Sequence, residues 1–241
     1  LRILDLRFTQ IADLSPLSGL NDLWWLSVEG SRVSDISSIK SVPNLTKLFL
    51  TDTSVSNLAP LKGLVHLRSL SIEGTKVLDL SAIAGLGDMW YFWCDRTGVS
   101  SIEPLRGMKK LEKLGLSEIK ISDLSPLAGH ALLRHVSLYA TPIKDISPLQ
   151  KSVKMESLDL GRSGVSDLGP LSSMVSLRRL SLGRTNVSDL KPLAGLKSLE
   201  YLDVTFTQVL DIAPVKNLGG LKDVRLDGSP AAKAGLGWPV K

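Results

Sequence analysis

The chain has 241 residues, of which 43% are apolar, and its 29 basic and 24 acidic side chains leave a formal net charge of +5 at pH 7. This balance excludes an intrinsically disordered chain, and no apolar run approaches the roughly 18 residues that membrane insertion of a helix requires. The single cysteine, Cys94, excludes an internal disulfide and any site built from several thiolates.

The first predicted element begins at Leu1, which already lies inside a repeating pattern of leucines. Frames of the type L-x-x-L-x-L, some with other apolar residues, begin every 22 residues, at positions 1, 23, 45, 67, 89, 111, 133, 155, 177, 199 and 221. This regularity predicts an array of repeats that stack on one another, because no single repeat could bury its own apolar stripe. The chain starts inside the pattern without a Met or a leader-like segment, so we expect it to be part of a longer protein.

Each repeat, numbered from its first Leu, predicts a strand followed by a turn. Positions 4 and 6 are apolar and flank a more polar position, which is typical of a short strand with one buried face, as at Leu180 and Leu182. Apolar residues also stand at positions 14, 17 and usually 20, and this spacing of three indicates a tight 3₁₀-type turn. Where a Ser-Pro pair stands at positions 15 and 16, as at Ser15 and Pro16, we expect Ser to cap the turn and Pro to start it.

These residues resemble the leucine-rich-repeat family, and the 22-residue spacing with S-D-L-S-P-L at 122–127 is similar to the internalin-like bacterial subclass. The resemblance covers residues 1–230, which we expect to form one domain of ten repeats and a partial eleventh. It implies an α/β fold, a right-handed solenoid with a curved parallel sheet on its concave face and short 3₁₀ turns on its convex face. Residues 231–241 are expected to be a divergent cap or a linker, with Trp238 as a candidate cover for the last layer. Position 9, usually Asn in the family, is mostly Thr here, and we expect its hydroxyl to bond to neighbouring backbone instead.

The resemblance also implies a non-catalytic role in binding other proteins. Internalin-like proteins are often secreted or surface-displayed bacterial virulence factors that engage host proteins, and similar repeats serve as recognition arms of injected effector enzymes. We therefore expect a protein-recognition module of a secreted, surface-displayed or translocated bacterial protein. The alternative is a substrate-recognition arm whose catalytic domain lies outside this chain, since a fold alone does not determine function.

The sequence offers no candidate catalytic site, cofactor or metal site. It contains no phosphate-binding glycine loop, no nucleophile elbow and no Cys/His cluster with metal-ligand spacing. Cys94 falls at a buried position of its repeat, where a thiol is inert. Position 13 is Asp in eight repeats, and these carboxylates either bind calcium or accept hydrogen bonds from the turn that follows. The turn role is favoured because one carboxylate per layer supplies few metal ligands.

The candidate binding residues lie on the exposed sheet face, which comprises positions 3, 5 and 7 of each repeat with positions 2 and 8 at its margins. Aromatic residues make up 5% of the chain, yet this face carries six of them in repeats two to five: Trp24, Trp25, Phe49, Trp90, Tyr91 and Trp93. Exposed Trp and Tyr are typical hot spots of protein interfaces, so this cluster is the predicted anchor for a protein partner. The alternative is that the aromatic residues only pack on one another or on an N-terminal cap. The small or short side chains of Ser69, Ser71 and Glu73 predict a hollow, with Trp25 and Phe49 on one side and Tyr91 and Trp93 on the other.

A basic region follows in residues 133–198, where ten Lys or Arg residues stand against five acidic ones. Its candidate binding residues on the exposed sheet face and its margin are Tyr139, Arg162, Arg179 and Arg184. Guanidinium groups fit both carboxylates and phosphates, so we expect this region to meet an acidic protein surface or a phosphate, with a merely solvated face as the alternative. Nucleic acid is the less favoured partner, because acidic side chains interrupt the basic columns and would repel a phosphate backbone: Asp159, Asp203 and Asp227.

Overall fold

The computed structural model describes residues 1–235. Trp238, the candidate cover for the last layer, lies outside the described residues. The chain forms two compact units, of which the first is Leu1–Lys120 and the second begins at Ile121.

The first unit contains six short parallel strands, one at the start of each repeat: β1 (Ile3–Asp5), β2 (Trp25–Ser27), β3 (Lys47–Phe49), β4 (Ser69–Ser71), β5 (Tyr91–Trp93) and β6 (Lys113–Gly115). Within this unit, each of the strands β1 to β5 pairs with the strand one repeat further on, so that Leu4 lies beside Leu26. The return connections pass through 3₁₀ helices at Ser15–Leu17, Ser37–Ser41, Ala59–Leu61, Ser81–Ile83 and Glu103–Gly107. Equal positions of neighbouring repeats therefore lie side by side, about 5 Å apart.

Over its described residues, 121–235, the second unit has five strands in the same parallel arrangement: β7 (His135–Ser137), β8 (Ser157–Asp159), β9 (Arg179–Ser181), β10 (Tyr201–Asp203) and β11 (Asp223–Arg225). Its helical turns are Ser125–Leu127, Ser147–Leu149, Gly169–Leu171 and Lys191–Leu193, all 3₁₀, followed by the short helices α1 (Ala213–Lys216) and α2 (Pro230–Lys233). The predicted class, parallel strands joined by short 3₁₀ turns in a leucine-rich-repeat fold, is confirmed.

The core consists of the apolar positions that the repeat pattern predicts. Leu26 and Phe92, at strand position 4, are fully buried, as are Leu138 and Ile143 at positions 6 and 11. Strand position 4 points into the core, so positions 3 and 5 on either side of it must point outward. The alternation thereby creates the exposed sheet face.

The turn aspartates have the predicted backbone role. Asp13 Oδ1 accepts a hydrogen bond from the backbone N–H of Ser15 at 2.8 Å, and Oδ2 accepts one from the Ser15 hydroxyl at 2.7 Å. The other seven turn aspartates accept the same backbone bond, and Asn57 accepts it at the equal position of its repeat. The expectation that Ser caps the turn is wrong, because the helix is preceded by Leu14 and Ser15 donates its hydroxyl to the aspartate. Pro16 lies in the first turn, as predicted.

The threonines at position 9 also bond to the backbone as predicted. Thr185 is buried, and its hydroxyl donates to the carbonyl oxygen of Leu182 at 2.6 Å. The threonines of the six other Thr-containing repeats make the same bond. The bond satisfies a carbonyl just beyond the strand, where the chain turns away from the sheet.

We expect Thr185→Val to lower the free energy of unfolding by about 1 to 2 kcal/mol, because valine keeps the volume but leaves the buried Leu182 carbonyl without this donor. Urea titration measures the change. Thr185→Ser retains the hydroxyl and serves as the control, with a smaller expected loss. A valine variant as stable as the parent would contradict the role assigned to the hydroxyl.

Candidate functional site

The predicted aromatic residues meet on the exposed sheet face of the first unit. The ring centroids of Trp25 and Phe49 are 5.7 Å apart, those of Phe49 and Tyr91 are 6.4 Å apart, and those of Tyr91 and Trp93 are 4.9 Å apart. Trp90 joins the series at 6.3 Å from Tyr91. We call these five residues the aromatic patch, and each of them is partly exposed.

Trp24 lies at the margin of the aromatic patch. Its ring lies 5.7 Å from the ammonium group of Lys47, a cation–π contact. Within residues 1–235, its ring contacts this lysine rather than another aromatic ring. Five of the six aromatic residues predicted from the sequence are therefore brought together, and the sixth flanks them.

The hollow expected between the aromatic residues is closed. Phe49 on β3 and Tyr91 on β5 reach across the intervening strand β4 until their rings touch, and they cover Ser69 and Ser71, which are each 2% exposed. Strands two apart in a sheet are separated by about 10 Å, a span that two aromatic side chains can bridge over short serines. The result is a continuous ridge of rings instead of two walls around a cavity.

Trp93 rests on a glycine of the neighbouring strand. A Cβ atom placed on Gly115 would lie 2.6 Å from each of three atoms of the indole, Cδ2, Cε2 and Nε1, far inside van der Waals contact. The ring therefore occupies the space that any other residue at position 115 would fill. Tyr91 stacks against this ring with an angle of only 15° between the planes, so glycine at 115 positions both rings.

Acidic side chains lie beside the aromatic patch at the ends of the strands. Arg96 donates to Asp52 Oδ1 at 3.2 Å and to Glu73 Oε1 at 3.0 Å, while Asp95 accepts from the backbone N–H of Ser117. Burial, aided by the charge of Glu73, raises the pKa of Asp95 to about 6. The hydrogen bond from Ser117 and the charge of Arg96 lower this pKa but only partly offset the effect of burial.

We expect Asp95→Asn to stabilise the protein at pH 8 by about 1 kcal/mol. This value is smaller than the pKa shift alone would give, because solvent screens the charge of this partly exposed group. A carboxyl with a higher pKa in the folded than in the unfolded state holds its proton more tightly when folded, so stability falls as pH rises from about 4 to about 6. Unfolding by urea at pH 4 and pH 8 measures the effect, which should nearly vanish at pH 4.

The control for this prediction is Asp88→Asn. The bond from Lys110 lowers the pKa of the Asp88 carboxyl, so its replacement should reduce stability at pH 8. Destabilisation by Asp95→Asn at pH 8 would contradict the unfavourable burial of its charge.

In the second unit the predicted arginines lie against aromatic rings. The guanidinium carbon of Arg162 is 5.7 Å from the centroid of Tyr139. Arg179 lies 5.0 Å from the ring of Tyr201, and Arg184 lies 4.2 Å from the ring of Phe206.

Tyr201 and Phe206 were not predicted from the sequence as parts of this region. The signal was present, because each stands at the same repeat position as the arginine it contacts, one repeat further on: Arg179 precedes Tyr201 by 22 residues, and Arg184 precedes Phe206 by 22 residues. Equal positions lie side by side in the sheet.

The thiol of Cys94 is fully buried, and burial raises its pKa, which makes it a poor nucleophile as predicted. Among residues 1–235, no three His, Cys, Asp or Glu side chains are grouped so as to hold a metal ion. None of the helices in that part of the chain has the length and apolar character that crossing a membrane requires.

The chain is similar to known leucine-rich-repeat proteins. Residues 175–217 match the family model described as leucine-rich repeats in two copies. A solved internalin (InlF) of Listeria monocytogenes superposes with a TM-score of 0.92 at 30% identity, over 95% of this chain and 68% of that protein. Internalin C2 of the same organism gives a TM-score of 0.63 at 30% identity, over 86% of this chain and 82% of that one.

A leucine-rich-repeat protein of Leptospira interrogans shares the fold, with a TM-score of 0.86 at 17% identity over 95% of this chain and 67% of that one. No curated protein sequence matches the chain.

Proposed function

Because the chain belongs to the internalin family of leucine-rich-repeat proteins, we propose that it is a non-catalytic recognition module whose aromatic patch anchors a protein partner. Leucine-rich-repeat folds commonly mediate recognition between proteins. The proposal includes a place among secreted, surface-displayed or translocated bacterial proteins, with a host protein as the partner and a role in virulence.

The observation that carries this proposal is the unbroken series of five partly exposed aromatic rings. Neighbouring centroids are 4.9 to 6.4 Å apart, so the rings support one another without being buried. Residues needed only for packing would lie in the core with Phe92, whose exposure is zero. Burying apolar surface is worth about 25 cal/mol per Å², and a partner that covers the rings would gain this energy.

The mutual contacts of the rings favour binding in a second way. A side chain that is already held in place loses little conformational freedom when a partner covers it, so more of the contact energy appears as affinity. Tyr91 and Trp93 meet this condition because they stack on each other and Trp93 rests on Gly115. Trp and Tyr are also the residues most enriched among interface hot spots.

The experiment that tests the proposal compares partner capture by three forms of the purified chain. Immobilised wild type, Trp25→Ala/Phe49→Ala/Trp93→Ala and a control variant are exposed to host and bacterial lysates, and retained proteins are identified by mass spectrometry. The control, Leu78→Ala/Val175→Ala/Leu210→Ala, removes three exposed apolar side chains outside the aromatic patch. Circular dichroism checks that all three forms are folded.

We expect a partner that wild type and control retain and the aromatic variant loses. A partner that all three forms retain equally would move the binding site away from the aromatic patch. A partner lost by the control as well would indicate general adhesion to apolar surface.

A further inference from the structure

A small cleft opens in the second unit, beyond the ends of strands β8 and β9. Its volume is about 140 Å³, and its floor consists of Gly161 and Gly183, which hold the same position in consecutive repeats. A Cβ atom on Gly161 would lie 3.1 Å from the ring of Tyr139, and one on Gly183 would lie 2.9 Å from the hydroxyl of Thr205. The cleft therefore depends on the absence of side chains at both positions.

Two arginines stand on either side of this cleft. Arg162 and Arg184 both line it, and both adopt left-handed backbone conformations, with φ of 55° and 60°. Arg162 leans on Tyr139 of the preceding repeat, whereas Arg184 leans on Phe206 of the following repeat. The two guanidinium groups therefore contact rings on opposite sides of the cleft that they line.

These cation–π contacts do not use the hydrogen-bond donors of the arginines. An aromatic ring covers one face of a planar guanidinium, whereas the N–H donors project in its plane. Within residues 1–235, neither Arg162 nor Arg184 forms an ion pair. In the same part of the chain the backbone N–H of Gly183, on the cleft floor, has no acceptor. The cleft thus presents three sets of donors without a matching acceptor.

Two carboxylates limit which anion fits. Asp159 accepts a hydrogen bond from the Gly161 N–H at 2.9 Å, and Asp203, which lines the cleft, accepts one from the Thr205 N–H at 2.8 Å. A strand of regularly spaced phosphates would meet these negative charges wherever it ran along the face. An acidic side chain of a flexible peptide can place one carboxylate between the two arginines while the rest of the peptide turns away from Asp159 and Asp203, and an arginine fork matches the two oxygens of that carboxylate.

We propose that this cleft binds the carboxylate of an Asp or Glu side chain of a protein partner, between Arg162 and Arg184. The site goes beyond the aromatic patch, which belongs to the other unit. Protein recognition is the premise that both share, but the cleft can be tested with a defined probe and with variants that leave every aromatic residue in place. Failure of one proposal is therefore distinguishable from failure of the other.

The probe is a fluorescein-labelled hexaglutamate peptide, followed by fluorescence anisotropy at low salt, with hexaglutamine as the uncharged comparison. We expect hexaglutamate to bind and hexaglutamine not to bind. Arg162→Gln/Arg184→Gln should weaken binding by about tenfold or more, since charge-assisted hydrogen bonds are lost. Arg162→Lys/Arg184→Lys keeps the charge and should still lose most of the affinity, because lysine cannot offer the planar fork.

Two further variants separate the cleft from general attraction. Gly183→Val places a side chain on the cleft floor without changing any charge, and we expect it to weaken binding about as much as the glutamine pair. Lys151→Gln/Lys154→Gln removes two exposed charges of the same unit outside the cleft, and we expect less than about a twofold change.

Three results would overturn the proposal. The first is an equal loss of binding in Lys151→Gln/Lys154→Gln and in Arg162→Gln/Arg184→Gln, which would indicate diffuse attraction. The second is full binding by Gly183→Val, which would place the peptide elsewhere. The third is tighter binding, through the same arginines, of a thymidine oligonucleotide with the same number of charges, which would make the site a phosphate site.

Discussion

Leu138→Ala is expected to lower the free energy of unfolding by about 2 to 5 kcal/mol. Leu138 follows strand β7 at position 6 of its repeat and has no exposed surface. Its replacement removes three buried carbons and leaves a cavity between repeats that can relax only partly, because the layers on both sides are joined through backbone hydrogen bonds. One such bond runs from the Leu138 N–H to the carbonyl of Asp159 at 2.8 Å.

Urea titration with a second probe, such as circular dichroism alongside intrinsic fluorescence, measures this change and shows whether the transition stays cooperative. The matched control is Leu210→Ala in the same unit, since 60% of Leu210 is exposed and its truncation should cost less than about 0.5 kcal/mol. A loss below 1 kcal/mol for Leu138→Ala would refute its place in the core.

The core could be predicted because a residue's position within the repeat determines whether it is buried. Leucines at positions 4 and 6 flank a position that faces solvent, and stacking aligns every repeat with the next, so one correct assignment holds for all. Phe92 and Cys94 show how strong this constraint is, because they are not leucines and are nevertheless fully buried at the predicted positions. The turn aspartates were predictable for a similar reason, since their bonds are local.

Side-chain direction on the exposed face was not predictable in the same way. The sequence places Phe49 and Tyr91 on one face but does not say that they lean towards each other and close over Ser71, because rotamers depend on all neighbours together. The partial burial of Asp95 likewise depends on how nearby side chains settle. The position of the Trp93 ring could have been inferred from Gly115, since a glycine at the same position of the next repeat leaves room for an indole to lie flat.

Trp93→Ala is expected to weaken binding of a partner captured through the aromatic patch by about 2 to 4 kcal/mol, or roughly 30-fold to 1000-fold. The alanine removes the ring that stacks on Tyr91, so that Tyr91 also loses its support. Isothermal titration calorimetry with the purified partner measures the change. The loss should exceed that of Trp24→Ala, because Trp24 lies at the margin of the aromatic patch.

Gly115→Ala tests whether the position of the indole matters or only its presence. The added Cβ would lie 2.6 Å from the ring, so the indole must move although every aromatic atom is retained, and we expect a loss of about 1 to 2 kcal/mol in binding. Gly85→Ala is the control, because a Cβ there meets no atom within 4 Å and should leave affinity unchanged. Wild-type affinity in Gly115→Ala together with a large loss in Trp93→Ala would show that the partner adapts to the ring. Wild-type affinity in both Gly115→Ala and Trp93→Ala would show that the indole lies outside the interface.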